Sequence, residues 1–300
     1  MNELQLSGVI VPLVTPFDGD GHVNHQALDQ LVDRLVAAGV HGVFAAGTTG
    51  EGPLLRPDEW REVTETTVHA AHGRVPVIVQ AGALTTAESV ERAQIAQACG
   101  VDAIALLAPY YYHHPDAALV EHFCAVAARV PDLPVFLYNL PQRTGHTINV
   151  GITEAVAARC ANVVGEKDSS GDLQGIGAKL RLRDGRFQML VGTDGLILPA
   201  LSMGVYGAVS GHANIVPELV VTLFNAFQQG DLAGARRAQE RLDRVRAITQ
   251  DGTDLSLFKG VLAEHGIAAG PVRPPLRSAT AEEIAACRGA LRQEGLLAPR

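Results

Sequence analysis

The sequence predicts an α/β protein, a (β/α)8 TIM barrel with a C-terminal three-helix extension. Three observations carry the prediction. Short apolar runs alternate with longer stretches of helical periodicity up to about residue 230. The runs are continuously apolar and do not alternate with polar residues, the pattern of strands buried on both faces of a parallel sheet. They also number eight, which closes a barrel. The barrel is expected over residues 1–230 and helices alone over 231–300. A chain of 300 residues accommodates such a barrel and extension without requiring two similar domains.

Taken in order, the apolar runs open near Val9, His41, Val77, Asp102, Val135, Val163, Phe187 and Tyr206. Helical periodicity fills the intervals, with clear stretches over 25–38, 57–72, 87–99, 116–130 and 153–160. Thr, Asp, Asn or Pro stands at several helix starts, and Gly39, Gly73 and Gly100 follow helix ends. An open doubly wound sheet is the competing architecture. It expects a glycine-rich phosphate turn after the first strand, where this chain has Val14-Thr15-Pro16-Phe17-Asp18. After Gly230 the strand signal stops. Helices are expected over 231–249, 255–265 and 280–294, joined by turns that include Gly270-Pro271-Val272-Arg273-Pro274-Pro275. Such an appendage is expected to contact other subunits or cover a barrel end, and not to carry chemistry.

Composition narrows the function classes. With 47% hydrophobic residues the chain can fill a large core, while a net charge of −8 argues against nucleic acid or an acidic membrane as partner. No run approaches the roughly 18 uncharged apolar residues of a membrane span, and the first residues lack a basic-then-apolar signal pattern. A cytoplasmic protein made without a targeting sequence is expected. Cys99, Cys124, Cys160 and Cys287 are far apart and form no CxxC pair, which suits buried thiols in a reducing compartment. His69 and His72, and the adjacent His113 and His114, lack a carboxylate or cysteine at a metal-binding spacing, so no metal is expected.

In a barrel of this type the strand ends at one rim build the active site, so polar residues there carry the functional argument. The chain has only three lysines, Lys167, Lys179 and Lys259, and Lys167 ends the sixth apolar run. An amine partly stripped of water at a strand end favours its neutral, nucleophilic form and can attack a ketone to give a Schiff base. The second run leads into Gly47-Thr48-Thr49-Gly50-Glu51, whose hydroxyls and exposed N–H groups could cradle a carboxylate or simply form a glycine turn. The fourth ends at Tyr110-Tyr111-Tyr112, which suit a barrel cap or an interface. The fifth ends at Tyr138, with Arg143 five residues on, a combination fit for a proton carrier and an anion clamp. His212 follows the eighth, where it could touch substrate or be hydrogen-bonded into the structure.

In their joint order and spacing, Gly47-Thr48-Thr49-Gly50-Glu51, Pro109-Tyr110-Tyr111, Tyr138-Asn139-Leu140-Pro141 with Arg143-Thr144-Gly145, and Gly165-Glu166-Lys167 carry a family resemblance. From residue 8 to about 297 the chain resembles the dihydrodipicolinate synthase and N-acetylneuraminate lyase family of class I aldolases. The resemblance implies that Lys167 forms an imine with pyruvate or another 2-oxo acid, with no other cofactor. It implies Tyr138 as proton shuttle, linked through Thr48 to Tyr111 of a neighbouring subunit. Thr48 and Thr49 would hold the pyruvate carboxylate and Arg143 the carboxylate of a partner aldehyde, with the backbones of Gly192 and Val209 lining the pocket. A homotetramer built from tight dimers is implied as well.

The implied reaction is condensation of pyruvate with an aldehyde such as aspartate semialdehyde. Retro-aldol cleavage of a 2-keto-3-deoxy sugar acid or 4-hydroxy-2-oxoglutarate is the alternative, and a non-catalytic 2-oxo-acid sensor a more remote one. Two departures bear on this. The Asn-Pro-x-Pro-x-Lys stretch usual in dihydrodipicolinate synthase is here Thr253-Asp254-Leu255-Ser256-Leu257-Phe258-Lys259. Trp60 and Leu84 stand at positions that match polar lysine-site residues of feedback-inhibited relatives, with only Glu88 kept. Insensitivity to L-lysine is therefore expected.

Overall fold

The computed structural model describes residues 4–298, and its eight parallel strands close in sequence order, β8 pairing back to β1. The strands are β1 (Gly8–Pro12), β2 (Gly42–Ala45), β3 (Val77–Gln80), β4 (Ala103–Leu107), β5 (Val135–Asn139), β6 (Val163–Asp168), β7 (Gln188–Val191) and β8 (Gly207–Val209). Each expected run is a strand. The barrel is thus the (β/α)8 architecture anticipated from the continuous apolar runs.

The connecting helices are α1 (His25–Ala37), α2 (Pro57–Ala71), α3 (Thr86–Cys99), α4 (Asp116–Ala127), the single turn α5 (Pro141–Thr144), α6 (Val150–Arg159), α7 (Leu173–Lys179), α8 (Ile197–Ser202) and α9 (Pro217–Gln228). Capping explains several starts: the Asn24 side chain accepts from the Ala27 N–H, and that of Asn149 from Ile152 N–H. The latter starts α6 three residues before the expected 153, because Gly151 in its first turn obscures the periodicity. After the barrel in sequence follow α10 (Leu232–Ile248), α11 (Leu255–Leu262) and α12 (Ala281–Gln293), the last opened by a reciprocal cap between Thr280 and Glu283.

Two apolar layers result. Ile10, Phe44, Ile78, Phe136 and Leu190 fill the barrel interior, while Val9, Val11, Val43 and Leu137 face the helices and pack with residues such as Leu28, Leu31 and Phe123. Each such large side chain contributes about 1.5–3 kcal/mol by leaving water. Cys124, Cys160 and Cys287 are buried as free thiols, with Cys99 half-buried. Among the described residues no helix is long and apolar enough to cross a membrane.

One irregularity decides the site. Val135 pairs with Val163, but Phe136 pairs with Gly165, so Val164 is an extra residue in β6. From there on, residues paired across the two parallel strands share a face: Tyr138 with Lys167 inward, Leu137 with Glu166 outward. Gly165 is needed beside the bulge, since a Cβ there would meet the Phe136 ring at 2.5 Å and the Gln188 carbonyl at 2.2 Å.

Candidate active site

The C-terminal rim of the barrel surrounds a cavity of about 630 Å³. Thr48, Thr49, Tyr138, Arg143 and Lys167 line it, as do Gly192, Val209 and His212. Those eight are the expected residues of the chain's own rim. Tyr111 is not among them. It sits on the loop after β4 with its backbone at φ 82° and is 86% exposed, its ring edge-on to Tyr112 at 5.0 Å.

Lys167 is buried at the end of β6, and its Nζ lies 3.9 Å from the centre of the Tyr138 ring and 4.8 Å from that of Phe44. The other two lysines are engaged with carboxylates: Lys179 with Glu166 and Asp168, Lys259 with Glu51. Among the described residues no carboxylate forms an ion pair with Lys167. The Tyr138 hydroxyl is 3.2 Å from Thr48 Oγ1, so a proton on the phenol has a hydroxyl to pass to. Space beside the amine is kept by Gly192. A Cβ there would stand 3.1 Å from Lys167 Cε and 2.1 Å from Ser169 Oγ.

The loop bearing Thr48 and Thr49 is anchored from two sides. Thr15 Oγ1 donates to the Gly50 carbonyl at 2.6 Å, and Glu51, in a left-handed conformation, accepts from the Lys259 ammonium and from Arg273 N–H. Gly52 allows the turn to close, because a Cβ there would overlap the Ala46 carbonyl. Arg143 projects, exposed, from the last turn of α5 at the cavity mouth.

His212 lines the cavity with both ring nitrogens engaged, Nδ1 with Asp194 Oδ2 at 2.5 Å and Nε2 with Thr249 Oγ1 at 2.8 Å. It links the loops after β7 and β8 to the end of α10. Burial acts to raise the Asp194 carboxyl, but His212 and the hydrogen bonds from His212 and Ser210 outweigh it and hold the group below the usual range.

The extension, expected to contact other subunits or to cover a barrel end, reaches this rim. Arg246 from α10, Asp251 and Thr253 from the segment after it and Phe258 from α11 line the cavity, as do Thr193 and Asp194. Arg246 is held by Asp243 at 2.9 Å and Asp251 at 3.0 Å. The departure at Thr253-Asp254 was the one sequence signal that pointed there. Trp60, by contrast, is a core residue whose Nε1–H donates to the Gln80 carbonyl at 3.1 Å, and Glu88 is tied to Arg92 at 2.7 Å. Leu84 is half exposed. Among the described residues the one tight group of candidate metal ligands is Asp18, Asp20 and His22, on a surface loop that does not line the cavity.

Comparison with known proteins groups the chain with one family. The model of the Dihydrodipicolinate synthetase family matches residues 5–294. A protein of Halobacterium salinarum described as an uncharacterized DapA-like lyase is 39% identical over 294 residues, covering 98% of this chain and 96% of that one. A 4-hydroxy-tetrahydrodipicolinate synthase of Methanopyrus kandleri is 38% identical over 295 residues, covering 98% of both. Among solved structures, dihydrodipicolinate synthase from Aquifex aeolicus superposes with a TM-score of 0.92 at 32% identity, covering 98% of this chain and 100% of that one. A prophage protein of E. coli K12, solved in complex with pyruvate, superposes with a TM-score of 0.91 at 29% identity, covering 97% of this chain and 99% of that one.

Proposed function

The chain belongs to the dihydrodipicolinate synthetase family, and from that premise we propose that it is a class I, Schiff-base-forming lyase that condenses pyruvate with an aldehyde such as aspartate semialdehyde. One observation carries the reading. A buried lysine with no carboxylate partner among the described residues stands beside a tyrosine whose hydroxyl reaches a threonine, at the strand-end rim of a cavity large enough for two small reactants.

In this reading the Lys167 amine attacks C2 of pyruvate, water departs, and the protonated imine acts as an electron sink. Loss of a proton from C3 gives an enamine whose carbon attacks the aldehyde, and hydrolysis of the imine frees Lys167. Tyr138 carries protons in these steps and Thr48 relays them, with Tyr111 of a second subunit completing the relay. Thr48 and Thr49 orient the pyruvate carboxylate, and Arg143 at the mouth orients an anionic group on the aldehyde. Gly192 and Val209 shape the wall beside the imine. His212 serves that wall through Asp194. The chemistry needs no metal or bound cofactor, and the working form is a cytoplasmic homotetramer.

A second reading has its own support. Ser169, Thr193, Asp194 and Thr253 also line the cavity, hydroxyls and a carboxylate suited to a hydroxylated chain. This lining favours cleavage of a 2-keto-3-deoxy sugar acid or 4-hydroxy-2-oxoglutarate to pyruvate and an aldehyde. Coupled assays with aspartate semialdehyde plus pyruvate, and with 2-keto-3-deoxygluconate or 4-hydroxy-2-oxoglutarate alone, choose between them. Turnover of none of these, in protein dialysed against EDTA or not, contradicts both.

A further inference from the structure

The outer face of β6 carries charge where a barrel strand ordinarily offers apolar side chains to its helices. Because the bulge at Val164 turns Lys167 inward, Glu166 and Asp168 on either side of it point outward. The Lys179 ammonium, from the last turn of α7, pairs with Glu166, lies 3.2 Å from Asp168 Oδ2 and donates to the Ile148 carbonyl at 2.7 Å. Those contacts use its three donors. Glu166 Oε2 accepts from the Thr153 hydroxyl at 2.8 Å, and Asp168 accepts from Asn139 Nδ2 and Ser170 N–H, each at 2.8 Å. Glu166, Asp168 and Lys179 are all at most 2% exposed.

Stability alone does not account for this cluster. Each buried ion carries a desolvation penalty that mutual attraction repays only in part, and an apolar set of similar volume would hold the helices as well. The network's distinction is its reach. It grips both chain neighbours of Lys167, Asn139 next to Tyr138, and Ser170 next to Ser169, while the Asp168 carbonyl accepts from Gly192 N–H at 2.7 Å.

We propose that Glu166, Asp168 and Lys179 are positioning residues, a buried ionic latch that fixes the end of β6 so that the Lys167 amine meets a 2-oxo acid beside Tyr138. The inference rests on Lys167 being the imine-forming residue. Burial pushes the Glu166 carboxyl up to about 7 against the pull of Lys179, so the latch is fully charged only above neutrality. The titratable groups facing Glu166 are Lys179 from α7 and Asp168 from its own strand, and α6 contributes the Thr153 hydroxyl.

The test is the rate at which pyruvate and borohydride leave a reduced adduct on Lys167, followed by intact-mass spectrometry at several pH values. The unaltered protein is compared with Glu166→Gln and with the double variant Glu166→Leu/Lys179→Met. The double variant is expected to fold, to saturate at a similar pyruvate concentration and to trap about tenfold more slowly at saturation. Glu166→Gln imitates the protonated carboxyl. It should match the unaltered protein near about pH 6 and lag about fivefold near about pH 8.5, the intrinsic pH dependence of imine formation cancelling in the ratio.

A folded double variant that traps at full speed overturns the latch, and so does a Glu166→Gln/unaltered ratio that shows no lag at about pH 8.5. Should the double variant not fold, that ratio decides alone. If the unaltered protein gives no adduct, the imine reading fails and takes the latch with it. An adduct formed equally fast in all three proteins removes only the latch.

Discussion

Lys259 and Glu51 close an ion pair at 2.5 Å in the protein interior, joining α11 of the extension to the loop that presents Thr48 and Thr49. Lys259 also donates to the Pro271 carbonyl at 2.8 Å, and the Arg273 N–H donates to the second oxygen of Glu51 at 2.7 Å. Lys259→Met keeps most of the volume but leaves Glu51 buried beside a single N–H. We expect a loss of about 3–5 kcal/mol in denaturant unfolding. In protein that still folds, pyruvate should saturate less tightly, because Thr48 and Thr49, proposed to hold its carboxylate, rest on the same loop.

A second tie between the same regions predicts how acid acts on the fold. Arg273 chelates Glu59, donating to Oε1 at 2.7 Å and also to Oε2, and reaches the Leu54 and Gly21 carbonyls. The hydrogen bond from Arg273 outweighs burial and holds the Glu59 carboxyl below its ordinary value of 4.5. A carboxyl depressed by folding stabilises the protein fully above the unfolded value, and that contribution is lost as the pH falls through the folded one. Melting temperature followed downward from pH 4.5 should therefore decline less steeply in Glu59→Gln than in the unaltered protein. Equal slopes would remove Glu59 as a source of acid sensitivity.

Gly192→Ala should separate chemistry from folding. The added methyl would crowd Ser169 Oγ and Lys167 Cε at the cavity wall, where Ser169 can rotate but the imine cannot. The expected outcome is a fall in kcat of about tenfold or more, at a cost to stability in the range of about 1–3 kcal/mol for overpacking. Unchanged turnover would mean that the imine forms elsewhere.

Tyr111 stands outside the cavity of its own chain, which makes its expected role a statement about assembly. Tyr111→Phe should lower kcat by about 10² while leaving pyruvate saturation near its original value, since a proton carrier is lost and no binding group is. Full turnover in this variant would withdraw the need for a second subunit at the site.

The barrel was legible in the sequence because strands buried on both faces leave continuous apolar runs, as at Val135 to Leu137. The same continuity hid the bulge at Val164. Where both faces are apolar, a one-residue slip changes no pattern, and only the pairing of Phe136 with Gly165 reveals which way Lys167 points. Thr48, Tyr138 and Lys167 could be grouped beforehand because each lies at or just after a strand end, and strand ends share a rim. Asp194, Arg246 and Thr253 could not be. They lie in short helical turns and in the extension, whose approach to the cavity is set by packing of α10 on α9 and by the His212 bridge to Thr249. Lys179 was visible only as one of three lysines, since nothing local ties residue 179 to residue 166 before the helix folds back on its strand.

The most direct test of the central claim is to incubate the protein with pyruvate, reduce with borohydride, and map the modified peptide by mass spectrometry. The account predicts one pyruvyl adduct per chain, on Lys167, and none in Lys167→Ala, while Lys179 and Lys259 stay unmodified in their ion pairs. An unmodified Lys167, or an adduct that persists in Lys167→Ala, would contradict the assignment of this residue as the imine-forming nucleophile.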